Sequence, residues 1–274
     1  MPYGTPPKSC FAGLQIRSKC YAKSGESMNT MIVDKCKLAT GKVICNDIGK
    51  TGSGFFIYDQ GFFITNNHVV SRMSIDRTGV IRMDYSRQIF LKTAGNTYRA
   101  SLVIDESSNR PVVYDYAILT LNVTPGAYFD VTNPSEISQG EEVVAIGYPL
   151  DFDEPIVSSG VISTIISRPS HTNALHTIRT ILTDTLITFG NSGGPLVRVS
   201  DGKVIGITTM RHEIRDEARE RLLKYINLHG IEAMPPIRDL IEFVLRYVNI
   251  GFNYAISIEY AMSDPAFGSL EGGE

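Results

Sequence analysis

The sequence predicts an all-β fold with a helical pair set near its C-terminal end. Strand-like runs rich in β-branched and aromatic residues follow one another from about residue 30 to residue 209. Turn residues punctuate them at short intervals, as in a barrel protein. After Arg211 the apolar spacing changes to that of a helix.

Along the chain, residues 1–30 read as an irregular extension, with Pro2, Pro6, Pro7 and a Ser24-Gly-Glu-Ser27 turn. Two strand-like runs, Gly54-Phe-Phe-Ile-Tyr58 and Phe62-Phe-Ile-Thr65, are joined by an Asp59-Gln-Gly61 turn. The stretch from Thr124-Pro-Gly126 to Gln139-Gly140 has turn formers and little periodicity, so it reads as a connection. From Glu213 to Leu228 the apolar residues Ile214, Ala218, Leu222, Tyr225 and Ile226 follow helical spacing, with acids early and Lys224 late, as the helix dipole favours. Gly230 ends that helix and Pro235-Pro236 opens a second, whose apolar face runs from Ile237 to Val248.

A chain of 274 residues with 43% hydrophobic content can bury a substantial core as one unit. Net charge is −3 and no long basic run occurs, which argues against nucleic-acid binding. No apolar run approaches the roughly 20 residues that span a bilayer. The first residues lack the pattern of a signal peptide, so a cytoplasmic location is expected. The four cysteines, Cys10, Cys20, Cys36 and Cys45, lack the paired spacing of a zinc module. Reduced thiols are the favoured reading over zinc or disulfides. No metal or other cofactor is expected.

The chemistry concentrates in Gly190-Asn-Ser-Gly-Gly-Pro195. A serine among so many glycines can sit on a sharply bent backbone. Such a bend can present the Ser192 hydroxyl while the amides of Gly190 and Ser192 converge as an oxyanion hole. A serine nucleophile needs a base. Of the five histidines, His171 and His176 lie in a polar loop, and His212 and His229 flank a charged helix. His68 instead follows a strand end in Thr65-Asn-Asn-His-Val-Val70, which makes it the candidate base. The orienting carboxylate is best supplied by Asp115, which interrupts the apolar, strand-like run Val112–Leu121. Asp76, Asp84 and Asp105 are rivals in more polar stretches.

These residues together resemble the chymotrypsin-like serine proteases, and the surrounding words are most similar to the HtrA/DegP branch. The order His68, Asp115, Ser192 matches. So do Gly52-Ser-Gly-Phe-Phe-Ile, Asp115-Tyr-Ala-Ile-Leu, Gly147-Tyr-Pro-Leu, Ser159-Gly-Val-Ile-Ser163, Thr183-Asp184 through Gly194, and Gly206-Ile-Thr-Thr209. Phe252-Asn-Tyr-Ala-Ile-Ser257 adds a match near the end. The resemblance implies two six-stranded antiparallel β-barrels with the triad in the cleft between them. Its boundaries would be an extension over 1–30, a first barrel over 31–125, a linker over 126–140 and a second barrel over 141–274. The helical insertion, 211–250, would pack on the second barrel; a subunit contact or a cover over the cleft is the sharper alternative. The family often carries a PDZ domain, and a protease domain without one is expected here. Thr188 and Phe189 also depart from the family's usual residues.

By the same likeness, Thr209 sits under the triad and bonds towards Asp115, and the segment after it, Met210 and Arg211, meets substrate backbone. Leu186 falls at the floor of the specificity pocket. With Ile187 it implies a preference for an aliphatic residue before the cleaved bond. Asn191 stands where digestive relatives carry an acid that pairs with a newly cut N-terminus, so activation by such cleavage is not expected. The implied partners are protein or peptide substrates, in a homo-oligomer such as a trimer. The alternatives are a catalytically silent, chaperone-like binder with the same fold and an esterase of small substrates.

Overall fold

The computed structural model describes residues 28–77, 81–103, 108–149, 152–170, 172–211, 224 and 253–268. Strands β1 (Thr40–Cys45), β2 (Lys50–Ile57), β3 (Phe62–Thr65), β4 (Ser71–Ile75), β5 (Ile81–Tyr85), β6 (Ile89–Thr93), β7 (Asn96–Val103) and β8 (Ala117–Thr120) form the first half. Six of them close a barrel in the order β1-β2-β3-β8-β7-β6, and β4 and β5 make a separate ribbon. The second half holds β9 (Glu142–Gly147), β10 (Ile156–Pro169), β11 (Thr177–Thr183), β12 (Pro195–Arg198), β13 (Val204–Arg211) and β14 (Asn253–Ser257). These close a second antiparallel barrel in the order β10-β11-β14-β13-β12-β9. Two one-turn helices, Glu259–Met262 and Pro265–Gly268, follow β14.

The apolar runs around the turn at 59–61 are continuous because both faces of their strands are covered. Successive strand residues point to opposite faces. In β2, Phe56 points into the first barrel, while Phe55 and Ile57 join the core shared with the second. In β3, Phe63 points in, and Phe62 and Ile64 point to the shared core. The second barrel answers with Val144 and Ile146 on that seam and Val143 and Ala145 inside. The barrels are therefore packed wall against wall.

Two local readings of the sequence need correction. Strand structure begins at Thr40, because Met28–Ala39 is helix α1. The β-branched residues there suggested a strand. However, Ile32, Cys36 and Ala39 recur at helical spacing and are buried in the shared core. Tertiary burial outweighs the small propensity penalty of Ile32 and Val33. Likewise Val112–Tyr114, read as the start of a strand-like run, belongs to a short helix, α3 (Arg110–Tyr114). The predicted helical pair lies outside the described residues except for Lys224, as do Cys10 and Cys20. Cys36 and Cys45 are free and buried. Burial pushes the Cys36 thiol up to about 12 and the Cys45 thiol up to about 11. Among the described residues, no helix is long and apolar enough to cross a membrane.

Phe63 is fully buried and meets Phe56 edge to face at 5.0 Å. Phe63→Ala is expected to destabilise the protein by about 3–5 kcal/mol, measured by urea unfolding.

Candidate active site

His68 lies in α2, the single turn Asn67–Val70 that follows β3. Lys50 fixes the end of that turn, its Nζ donating to the carbonyls of His68 and Ser71 at 2.7 Å each. Asp115 follows α3 in the left-handed conformation, with φ 49° and ψ 50°. That bend directs its carboxylate at His68. Asp115 Oδ2 lies 2.8 Å from His68 Nδ1, and Oδ1 accepts from the His68 backbone N–H at 3.0 Å. A carboxylate only accepts, so the ring proton lies on Nδ1 and Nε2 keeps its lone pair. Asn66 Nδ2 donates to the Asp115 carbonyl at 2.7 Å, which ties the two segments at a second point. Thr209 Oγ1 donates to Asp115 Oδ2 at 2.7 Å.

Burial alone would raise the Asp115 carboxyl. The His68 charge, the bonds from His68 and the Thr209 hydroxyl outweigh it, and the net shift is downward. Asp115 is a quarter exposed (26%) and the His68 ring 46% exposed. The pair is thus screened on one side and open on the other, where a substrate can approach.

Thr209 stands at a bulge. Thr208 pairs with Ala255 and Met210 with Tyr254, so Thr209 has no opposite residue in β14. Bulges re-aim the residue they free. Here the hydroxyl reaches Asp115, while the carbonyl accepts the Ser192 hydroxyl at 3.1 Å. One residue therefore touches both the acid and the serine. Among the described residues no hydrogen bond joins Ser192 directly to His68.

The serine loop is wedged between the barrels. Gly190 and Gly193 take φ of 96° and 89°. A Cβ on Gly193 would strike Ser53 O and Thr65 Oγ1, and one on Gly194 would strike Ile146 O. Ser53 N donates to Ser192 O at 2.8 Å, and Ser53 Oγ donates to Gly190 O at 2.6 Å. The same hydroxyl accepts the Tyr148 amide at 2.8 Å. Gly193 N donates to Thr208 O at 2.7 Å. The amides of Gly190 and Ser192 have no acceptor among the described residues. A Cβ on Gly52 would meet Val69 at 2.7 Å and Ser192 O at 3.0 Å, so the His68 turn and the serine flank the same glycine.

The sequence reasoning thus selected residues that the chain brings together: His68 with Asp115, Thr209 with Asp115, and Ser192 with Thr209. It passed over Ser53, Asn66 and Lys50, which bind backbone groups and carry no periodic signal. Of the rival acids, Asp76 pairs with Arg82 in the β4–β5 ribbon, where Asp84 also lies, and Asp105 is outside the described residues. His176 sits edge-on against Tyr114, while His171, His212 and His229 lie outside the described residues. Leu186 is 57% exposed beside the serine loop. Ile187 is a correction: at 1% exposure it packs inside the second barrel with Ile181 and Leu196 and cannot line a pocket. The side chains of Met210 and Arg211 are outside the description.

The family model of the trypsin-like peptidase domain matches residues 52–207. The chain is 36% identical over 163 residues to the mitochondrial serine protease HTRA2 of Drosophila grimshawi, and equally to that of Drosophila ananassae. The matched region is 58% of this chain and 34% of each relative, so the chain spans about a third of their length. Among solved structures, the HtrA-type protease AlgW with tripeptide matches with a TM-score of 0.61 at 22% identity, covering 85% of this chain and 61% of that one. The inactive form of the Rv3671c protease matches with a TM-score of 0.59 at 17% identity, covering 88% and 93%. At such identities these likenesses bear on the fold.

Thr209→Val removes one hydrogen bond from a charged group, with an expected loss of about 1.5–3 kcal/mol at pH 7. The sign with pH follows from the lowered Asp115 carboxyl. Its stabilisation is complete above the unfolded value of 3.8 and is lost as pH falls through the lower folded value. Urea unfolding of the variant and the parent should therefore differ at pH 7 and converge in strong acid.

Proposed function

Because the chain belongs to the trypsin-like peptidase family, we propose that it is a serine endopeptidase that cleaves proteins or peptides through an acyl-enzyme. The observation that carries this reading is the His68–Asp115 pair set beside a serine loop with two unengaged amides. Ser192 Oγ attacks the substrate carbonyl, and its proton passes to His68 Nε2. Asp115 holds the Nδ1–H tautomer and stabilises the imidazolium. The oxyanion lies against the amides of Gly190 and Ser192. His68 then protonates the leaving amine, and water releases the acyl group by the same route in reverse. Attack requires the Ser192 hydroxyl to leave Thr209 O and turn towards the ring. That exchanges one neutral hydrogen bond for another, a cost of about 1 kcal/mol at most.

Exposed Leu186, without Ile187, supports an aliphatic preference before the cleaved bond. No acid lies at that position to receive Lys or Arg.

A catalytically silent binder is the second reading, and the Ser192–Thr209 bond favours it. A fluorophosphonate probe separates the two. The parent should react with the probe and Ser192→Ala should not; an unreactive parent would support the binder. Asp115→Asn should lower kcat by about 10⁴-fold through the wrong histidine tautomer. In a peptide panel, cleavage after Leu, Ile or Val should exceed cleavage after Lys or Arg. The opposite order would remove the Leu186 argument while leaving the triad untouched.

A further inference from the structure

Asp115 belongs to the first half of the chain, yet the residues on both sides of it are fastened by the second. In α3, Val113 O accepts from Ser170 Oγ at 2.7 Å and Val112 O from Thr172 Oγ1 at 3.0 Å. Both donors lie between β10 and β11 of the second barrel. Arg110 Nη2 donates to Ser263 Oγ at 2.6 Å. The Tyr114 ring lies flat on Tyr260, with centroids 4.2 Å apart and planes 11° from parallel. On the other side of Asp115, Tyr116 OH donates to Asp264 Oδ2 at 2.6 Å, and both residues are buried. Tyr114 and Tyr116, the immediate neighbours of Asp115, are thus both held by the segment that follows β14.

This placement has a physical reason. A left-handed conformation is disfavoured for a residue with a Cβ by roughly 1–2 kcal/mol. It persists where the surroundings over-determine it. The carboxylate of Asp115 touches only short-range partners at 2.7–3.0 Å, so a small drift of its backbone would break them. Two aromatic neighbours, one stacked and one hydrogen-bonded, fix the peptide planes on either side.

We infer that Tyr116 and Asp264, with the Tyr114–Tyr260 stack, form a clasp through which the segment Glu259–Gly268 positions Asp115 for His68. The inference deepens the protease reading and rests on it, since it makes these four side chains positioning residues of the proposed triad. None of them is among the residues described as touching the reacting groups.

The test compares Tyr116→Phe, Asp264→Ala and Asp264→Asn in the full chain. Asparagine can keep Oδ1 on the Ala266 amide, which Asp264 Oδ1 accepts at 2.9 Å, and turn Nδ2 to the Tyr116 oxygen. Two readings are taken: kcat and KM on a peptide that the parent cleaves, and the proton NMR resonance of the His68 Nδ1–H bonded to Asp115. Tyr116→Phe and Asp264→Ala should lower kcat about 10- to 100-fold, the scale of a small misplacement, with KM changed less than about twofold. Both should shift the Nδ1–H resonance upfield or erase it, and Asp264→Asn should restore both readings. Parent-like kcat and resonance in the first two variants, with only a lower melting temperature, would overturn the clasp. If either fails to fold, Tyr260→Leu removes the stack, together with the hydrogen bond that the Tyr260 hydroxyl accepts from the Arg179 amide at 2.7 Å, and is judged by the same two readings. A parent that cleaves nothing and ignores the fluorophosphonate would defeat the protease reading. The resonance would still decide the clasp, because the Nδ1–Asp115 bond exists without turnover.

Discussion

The site depends on one buried side chain at the seam. Ser53 gives its backbone N–H to Ser192 O and its hydroxyl proton to Gly190 O, and it accepts the Tyr148 amide on the same oxygen. Its carbonyl accepts from Thr65 Oγ1 at 2.7 Å. A hydroxyl has one proton to give, and here it is aimed at the peptide between the two amides proposed to hold the oxyanion. Without that hydroxyl, the buried Tyr148 amide would lose its partner, at about 1–3 kcal/mol, and the half-buried Gly190 carbonyl would lose a bond as well. The same crowding explains the glycines. Gly52, Gly147 and Gly193 stand where a Cβ would meet the other side of the seam, and Gly194 where one would strike Ile146 O in its own barrel. The words Gly52-Ser-Gly54 and Gly190-Asn-Ser-Gly-Gly194, far apart in the chain, are better understood as two halves of one contact than as separate motifs.

What the sequence made legible follows from this. Residue type and order singled out His68, Asp115 and Ser192 as candidates, because few residue types suit such chemistry and each stands out from its surroundings, and the fold gathers them around Thr209. The strands of both barrels were legible from turn residues and β-branched runs. Helix α1 was not, because Ile32 and Val33 favour strands locally and only burial against the shared core decides otherwise. Val112–Tyr114 of the short helix α3 were read as strand for a similar reason: five residues are too few to display a period. Ile187 was assigned to a pocket by its neighbour Leu186, yet adjacent residues turn opposite ways, one to solvent and one to the core. Ser53, Asn66 and Lys50 act through backbone carbonyls and amides, whose positions no sequence pattern reports.

The electrostatics of the pair are set by competition. Burial works against a charged Asp115, and the contacts from His68 and Thr209 overcome it. Most of those contacts are directional and short, so they stabilise the carboxylate only in one orientation. Lys50 acts differently. Burial lowers its pKa first and the Arg72 charge lowers it further, while Asp115 raises it. Its ammonium is tied to two carbonyls at the end of the His68 turn, which makes it a fastening of that turn more than a partner of the acid.

The bulge at Thr209 shows why the two barrels act as one device. A regular β13 would give Thr209 an opposite residue in β14. The register shift frees it, so that its two polar groups serve opposite sides of the seam. The hydroxyl holds an acid from the first barrel, and the carbonyl holds the serine of its own barrel. Moving either barrel by an ångström would break one of these bonds and leave the other. The two bonds therefore coexist only when both barrels are in register, a register that the shared core and the Ser53 contacts also hold.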